Sequence, residues 1–168
     1  MSLSAFRNAR AETRRFLDRN GVVDHMFHGP SSDRYWTEPF KAVAINMEAY
    51  GYRGCGRYEV DRETLIDWLY DAGSTDTRTT RYTLAILAVL LKRMEESATA
   101  DWAEMQRAYA DADRLEATLD RTVYFNIRPE TNIRKQQDFD AIAGVGNSPI
   151  GALLWNEIIA LDPDVLIV

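Results

Sequence analysis

The first forty residues carry one clear helical pattern followed by a polar stretch. Apolar side chains in residues 4–19 recur at spacings of three and four and predict an amphipathic helix, with Phe6, Ala9, Thr13, Phe16 and Leu17 on one face. Four arginines, at positions 7, 10, 14 and 15, fall elsewhere around this helix. Asn20-Gly21 ends it, and the polar, aromatic stretch through Pro39 predicts a long ordered loop.

Capping residues and apolar spacing predict four further helices. Asp61 is an N-cap for a helix through Asp71, and Ser148 followed by Pro149 begins a helix through Leu161. Residues 79–93 contain LAILAVLL, which is apolar nearly all round and predicts a central helix packed on more than one side. Residues 102–119 predict one amphipathic helix that covers the sheet with Trp102, Met105, Tyr109, Ala112, Leu115 and Leu119.

Three short apolar runs alternate with these helices and predict buried strands. They are Lys41 to Asn46, Thr122 to Ile127 and the final DVLIV. This alternation predicts a three-layer α/β/α domain with a mostly parallel central sheet. The 168 residues suit a single domain, with an N-terminal helix and ordered loop over residues 1–40 and the sheet core over 41–168.

Ligands of such sheets bind outside the carboxyl ends of the strands, where polar loops follow two of the predicted strands here. Glu48 follows the first strand and is a candidate general base, with a solvated or capping carboxylate as the alternative. Asn126 ends the second strand, and its amide can read the edge of a nucleobase or tie down the loop. Tyr50 and Tyr58 offer ring faces on which a base can stack, or anchor the loop.

Charge is unevenly distributed along the chain. The net charge of −6 argues against non-specific binding to nucleic acid, and eight acids lie between Glu95 and Asp120. Loops on the predicted site's side carry arginines that can form a basic rim or be ordinary surface residues: Arg53, Arg57, Arg78, Arg81, Arg128 and Arg134.

Several classes of protein lack their signature in this sequence. There is no glycine-rich dinucleotide motif, P-loop or nucleophile elbow. Cys55 is the only cysteine, and the spacing of His25 and His28 matches no metal site, so we expect neither a metal nor a cofactor. No apolar run is long enough to span a bilayer, and we expect a cytoplasmic protein without membrane contact.

Two segments together resemble the uracil-DNA glycosylases. AVAINMEAYGYRG, residues 42–54, resembles that family's first motif, in which a strand runs into a loop of the form Gly-Gln-Asp-Pro-Tyr-His-Gly. VYFNI is similar to the family's strand ending in Leu-Leu-Asn. The order of a helix and a buried strand after it, residues 150–168, also matches the family.

The resemblance implies roles for individual residues. Glu48 would position or activate the attacking water, Tyr50 would close one side of the base pocket, and Asn126 would recognise the base. Asn46, in the matching stretch, would be a further base-binding residue, and Tyr58 matches the aromatic that stacks on the base. The resemblance places the loop that grips DNA phosphates at residues 78–81, and with the basic rim this gives the DNA-contacting set Arg78, Thr80, Arg81 and Arg128.

One departure from the family pattern keeps more than one function open. The family has a histidine motif after the last strand, whereas this sequence stops at Val168, and we expect the natural chain to continue. The first hypothesis is a DNA glycosylase that hydrolyses the N-glycosidic bond of a flipped base. The second is an inactive module of the same fold that binds a nucleobase, nucleotide or protein. The third is an interaction domain that contacts a protein through the acidic helix of residues 95–120.

Overall fold

The computed structural model describes residues 2–22, 25–46, 49–50, 57–71, 75–126, 131–132 and 148–168. The helices among them are α1 (Leu3–Arg19), α2 (Arg62–Tyr70), α3 (Thr75–Glu96), α4 (Trp102–Ala110), α5 (Ala112–Leu119) and α6 (Pro149–Leu161), with a 3-10 helix at Asp33–Trp36. The strands are β1 (His25–His28), β2 (Ala42–Asn46), β3 (Ala49–Tyr50), β4 (Arg57–Val60), β5 (Thr122–Asn126), β6 (Thr131–Asn132) and β7 (Val165–Ile167).

The central strand is β2, which pairs in parallel with β5 on one side and β7 on the other. Two smaller parallel pairs, β1 with β4 and β3 with β6, complete the described strands. β1 also lies beside β5. The chain is therefore an α/β protein, and every strand pairing in its described residues is parallel, as the alternation of strands and helices predicted.

Helices cover both faces of the three-stranded sheet. Successive strand residues point to opposite sides of the sheet, and each set of side chains packs against different helices. On one face, Ala42, Ala44 and Tyr124 pack in a buried cluster with side chains of α2, α3, α4 and α5. On the other, Val43 and Val123 pack against α1, α6 and the 3-10 helix. None of the described helices combines the length and the apolar character needed to cross a bilayer.

Local sequence signals determine where several helices begin and end. The side chains of Asp61 and Ser148 accept hydrogen bonds from the backbone amides of Thr64 and Gly151, which caps α2 and α6 as predicted. Asn20 is the C-cap of α1, and Gly21 follows with a φ of +72°, a conformation that glycine adopts without strain. These elements confirm the predictions made from caps and spacing.

Several predictions of local structure need correction. The predicted loop before Pro39 contains β1 and the 3-10 helix, and the stretch before Asp61 contains β4. Strands of four residues are too short to give a period-two signal, and the polar His25 is fully buried. The predicted helix of residues 102–119 is two helices, because Asp111 is extended and caps α5. Trp102, expected in the core, is 68% exposed at the first position of α4.

α6 runs against the direction of the strands. It ends at Leu161, and Val165 soon after is the register partner of Ala42, the first residue of β2. Thirteen residues of helix are about 18 Å long, whereas a five-residue strand spans about 13 Å. α6 therefore begins at the edge of the sheet where β2 and β5 end, which we call the carboxyl edge, and finishes at the opposite, amino edge.

α1 lies beside α6 with its C-terminal half toward the carboxyl edge. Arg10 contacts Glu157 in the last part of α6, while Phe16 and Arg19 share a groove with Leu153, one turn earlier in α6. Because α6 begins at the carboxyl edge, the last turns of α1 also lie on that side of the molecule.

Candidate functional site

The ends of β2 and β5 meet at the carboxyl edge, at the position that the sequence predicted. Asn46 and Asn126, the last residues of the two strands, are Cα partners in the parallel register. Shortly beyond them, Tyr50 of β3 is the partner of Asn132 of β6. The two chain segments that leave the sheet are thus neighbours both at Asn46 and Asn126 and again four to six residues later.

The predicted base-binding residues differ in how they are placed. The backbones of Asn46, Tyr50 and Asn126 lie at the carboxyl edge, whereas Tyr58 lies in β4, opposite Met26 of β1. For these four predicted residues the structure describes the backbone. Glu48, the predicted general base, and Arg128 of the basic rim lie outside the described residues.

Tyr124 connects the end of β5 to the first turns of α3. Its hydroxyl donates a hydrogen bond of 3.0 Å to the carbonyl oxygen of Thr80, and the Thr83 side chain hydrogen-bonds to the same phenol. Burial raises the pKa of Tyr124 far above its usual value, so the phenol stays neutral and keeps its proton for Thr80. Because Tyr124 lies two residues before Asn126, this contact places the beginning of α3 near the carboxyl edge.

The predicted DNA-gripping residues 78–81 lie within α3 rather than in a turn. Thr80 is buried, with 9% of its surface exposed, and Arg78 is exposed. The guanidinium of Arg81 donates to the carbonyl oxygens of Leu69, at 3.4 Å, and Tyr109, at 2.8 Å. These carbonyls belong to the last turns of α2 and α4, so Arg81 caps two helices and joins them to α3.

A buried ion pair between α1 and α6 was missed by the sequence reasoning, which placed Arg10 away from the apolar face. Arg10 is 6% exposed, and its Nε donates to Oε2 of Glu157 at 2.5 Å. Its guanidinium also lies over the rings of Phe6 and Phe27, at 4.8 and 4.4 Å from their centroids. Desolvation lowers the pKa of Arg10, against the opposing effect of the Glu157 charge. In the sequence, the only sign that Glu157 is buried is that the apolar residues Leu154 and Ile158 lie close to it.

The acids of residues 95–120 make contacts within the chain. Asp101 and Asp111 cap α4 and α5. Five others bind side chains of the same molecule: Glu95 with Arg121, Glu96 with Lys92 and Arg93, Glu104 with Lys92, Arg93 and Arg114, Glu116 with Arg62 and Tyr70, and Asp120 with Arg62. The predicted acidic contact face thus has seven of its eight acids engaged internally.

The part of the chain that the structure describes contains no cluster of metal-ligand side chains. There, no three side chains of histidine, cysteine, aspartate or glutamate lie together in a group that could hold an ion. His25 is fully buried in β1, with its ring 5.0 Å from that of Phe27. Its place between packed elements makes it part of the core.

None of the models of known protein families matches this chain, and no curated protein or solved structure matches it either. We therefore infer function from the register of the strands, the residues that follow them and the chemistry of those residues.

Proposed function

We propose that this protein is a uracil-DNA-glycosylase-like domain that hydrolyses the N-glycosidic bond of a base flipped out of DNA, with its site at the carboxyl edge of β2 and β5. The observation that carries the proposal is the register in which Asn46 faces Asn126. That pairing brings the two segments resembling the glycosylase motifs side by side at one edge, where ligands of parallel sheets bind.

Two side chains recognise and hold the flipped base in this proposal. The amide of Asn126 donates to a carbonyl oxygen of uracil and accepts from its ring N–H, which together read the base edge. The ring of Tyr50 covers one face of the base. The backbone positions of both residues at the carboxyl edge support this assignment.

Glu48 acts on the attacking water. The oxygen of the water bonds to C1′ of the deoxyribose as the bond from C1′ to the base nitrogen breaks, and Glu48 takes a proton from that water. The base leaves with the electron pair of the broken bond and takes up a proton from solvent. Glu48 stands between Asn46 and Ala49 in the sequence, which supports its assignment to this edge.

Arg78 contacts the phosphates of the flipped nucleotide's strand. It is exposed near the beginning of α3, which Tyr124 holds at the carboxyl edge, and no carboxylate pairs with it among the described residues. Arg81 holds this part of α3 in place through its hydrogen bonds to the ends of α2 and α4. Phosphate contacts of this kind position DNA without reading its sequence.

A binding module without catalysis is the second candidate, and the position of His25 favours it. Both histidines of the chain precede β2, and His25 is fully buried. A general acid for the leaving base therefore does not come from His25. In this second candidate the edge binds a nucleobase and releases it unchanged.

Release of uracil from a labelled oligonucleotide distinguishes the two candidates. We expect the wild-type chain to release uracil and Glu48→Gln to release it about 10²- to 10⁴-fold more slowly, the usual contribution of a general base. Glu63→Gln, the same change at an exposed residue of α2, is the matched control and should act like wild type. Equal rates for Glu48→Gln and wild type would exclude the catalytic role. Uracil binding without release would support the second candidate.

A further inference from the structure

A groove between α1 and α6 has the size of a ligand-binding cleft. Its volume is about 520 Å³, within the range of ligand-binding clefts. Phe16 and Leu153, both half-buried, are its apolar residues, and Glu12, Arg15, Arg19 and Asn20 provide its polar groups. It lies on the face of the sheet opposite α3, on the side of the molecule where the carboxyl edge lies.

The two arginines of the groove differ from seven other arginines that the structure describes. Seven described arginines form ion pairs with carboxylates of the chain: Arg10, Arg14, Arg34, Arg62, Arg93, Arg114 and Arg121. Arg15 and Arg19 are exposed and donate through Nε to backbone carbonyl oxygens, of Ala11 at 3.3 Å and of Arg15 at 3.1 Å. In the described part of the chain no carboxylate lies within ion-pair distance of either one.

This arrangement leaves the outer nitrogens of both guanidinium groups available to an external anion. With Glu12 included, the groove carries a net charge of +1 on a protein whose net charge is −6. Like charges four residues apart on a helix repel each other, and a bound anion relieves that repulsion. Guanidinium groups donate in a planar fork that matches the oxygens of a phosphate.

We infer that this groove binds the phosphate backbone of the DNA whose base enters the site at the carboxyl edge, with Arg15 and Arg19 as the phosphate contacts. The inference rests on the proposed function, because the carboxyl edge supplies the reason for DNA to lie there. Arg78 on α3 and the two arginines on α1 then contact the DNA from the two faces of the sheet. Phe16 and Leu153 form the floor on which sugar and base surfaces rest.

Salt-dependent binding of a labelled DNA duplex of about 20 base pairs tests the inference directly. Each lost phosphate contact lowers the slope of log K against log salt concentration by about 0.9. We therefore expect Arg15→Gln/Arg19→Gln to lower that slope by about 1.8 and to weaken binding at low salt by about tenfold or more. The matched control is Arg7→Gln/Arg107→Gln, which removes the same charge from two exposed arginines outside the groove.

The outcomes separate this inference from the proposed function. An unchanged slope in the groove variant, an equal fall in the control, or no DNA binding by the wild-type chain would overturn the groove assignment. If the groove variant changed only thermal stability, the two arginines would act only in stabilising α1, and the groove assignment would be overturned as well. If the slope falls as expected while the wild-type chain releases no uracil, the groove binds DNA and the proposed catalysis is wrong. If catalysis is present, the groove variant should raise KM and leave kcat unchanged.

Discussion

Arg10 and Glu157 form a buried ion pair between α1 and α6. Their charges are buried between α1 and α6, with Arg10 at 6% and Glu157 at 0% exposure. Oε1 of Glu157 has no hydrogen-bond partner in the described structure, so its stabilisation depends on the bond from Arg10 to Oε2. Removing one partner of such a pair leaves an uncompensated buried charge, which costs more than the pair itself contributes.

We therefore predict that Arg10→Ala lowers the free energy of unfolding by about 3–5 kcal/mol. The double variant Arg10→Met/Glu157→Leu should recover most of that loss, because apolar side chains of similar size replace both charges. Urea unfolding followed by circular dichroism measures both values. A double variant as unstable as Arg10→Ala would contradict this explanation, since no unpaired charge would remain in it.

Glu104 connects the stability of the protein to pH. It is 3% exposed, and although burial raises the pKa of a carboxylate, the hydrogen bond and charge of Arg93 with those of Lys92 lower the pKa of Glu104 below its usual 4.5. A lowered pKa in the folded state stabilises the protein above the unfolded-state pKa, and this stabilisation is lost as the pH falls through the folded-state pKa.

Glu104→Gln should therefore reduce the acid sensitivity of the fold. Its melting temperature should be below that of wild type at about pH 6, and the difference should shrink as the pH falls below 4.5. Glu63→Gln, at an exposed carboxylate of α2, provides the comparison. A constant difference in melting temperature across this range would show that the charge of Glu104 does not contribute.

Among the elements, the contact between β5 and α3 has the most direct connection to the site. The Tyr124 hydroxyl bonds to α3 two residues before the end of β5 and so forms a polar link between the strand and that helix. The sequence predicted both elements from their patterns, yet it did not predict this bond. A tyrosine in an apolar strand gives no sign of which helix its hydroxyl reaches.

Tyr124→Phe removes the hydroxyl and keeps the ring in the core. We predict a loss of about 1 kcal/mol in the free energy of unfolding, the usual net value of one hydrogen bond. Uracil release should fall through kcat rather than KM, because the strand end that carries Asn126 is less firmly held while the exposed arginines remain. Val123→Ala removes core volume on the other face of the sheet. It should lower the free energy of unfolding and leave both kcat and KM for uracil release unchanged.

The elements that the sequence predicted best have strong local signals. α1, α2 and α6 have capping residues at their ends, β2 is a short apolar run with Val43 and Ile45, and β5 is rich in β-branched and aromatic residues. β1 and β4 were missed because four residues with histidine, arginine or glutamate show no apolar run. The break at Asp111 was missed because the apolar spacing continues from α4 into α5, and the break depends on one side chain that caps the second helix.

At the scale of the whole molecule, the parallel register creates the candidate site. The alternation of strands and helices predicted that two polar loops would leave the same edge, and the register of Asn46 with Asn126 places the ends of the two strands side by side at that edge. The groove of Arg15 and Arg19 could not be predicted in the same way, because it depends on how α1 packs against α6. That packing also buries Arg10, a residue whose charge predicts exposure.

In the proposed function, Asn126 reads a uracil base at the carboxyl edge. Release of free uracil from an oligonucleotide with one deoxyuridine, by wild type and by Asn126→Ala, tests it most directly, with Asn8→Ala on the exposed face of α1 as the control. Two lost hydrogen bonds of about 1.5 kcal/mol each correspond to a rate lower by about a hundredfold. We predict this loss for Asn126→Ala and a wild-type rate for Asn8→Ala. Equal rates of release for Asn126→Ala and wild type, or a wild-type chain that neither releases nor binds uracil, would contradict it.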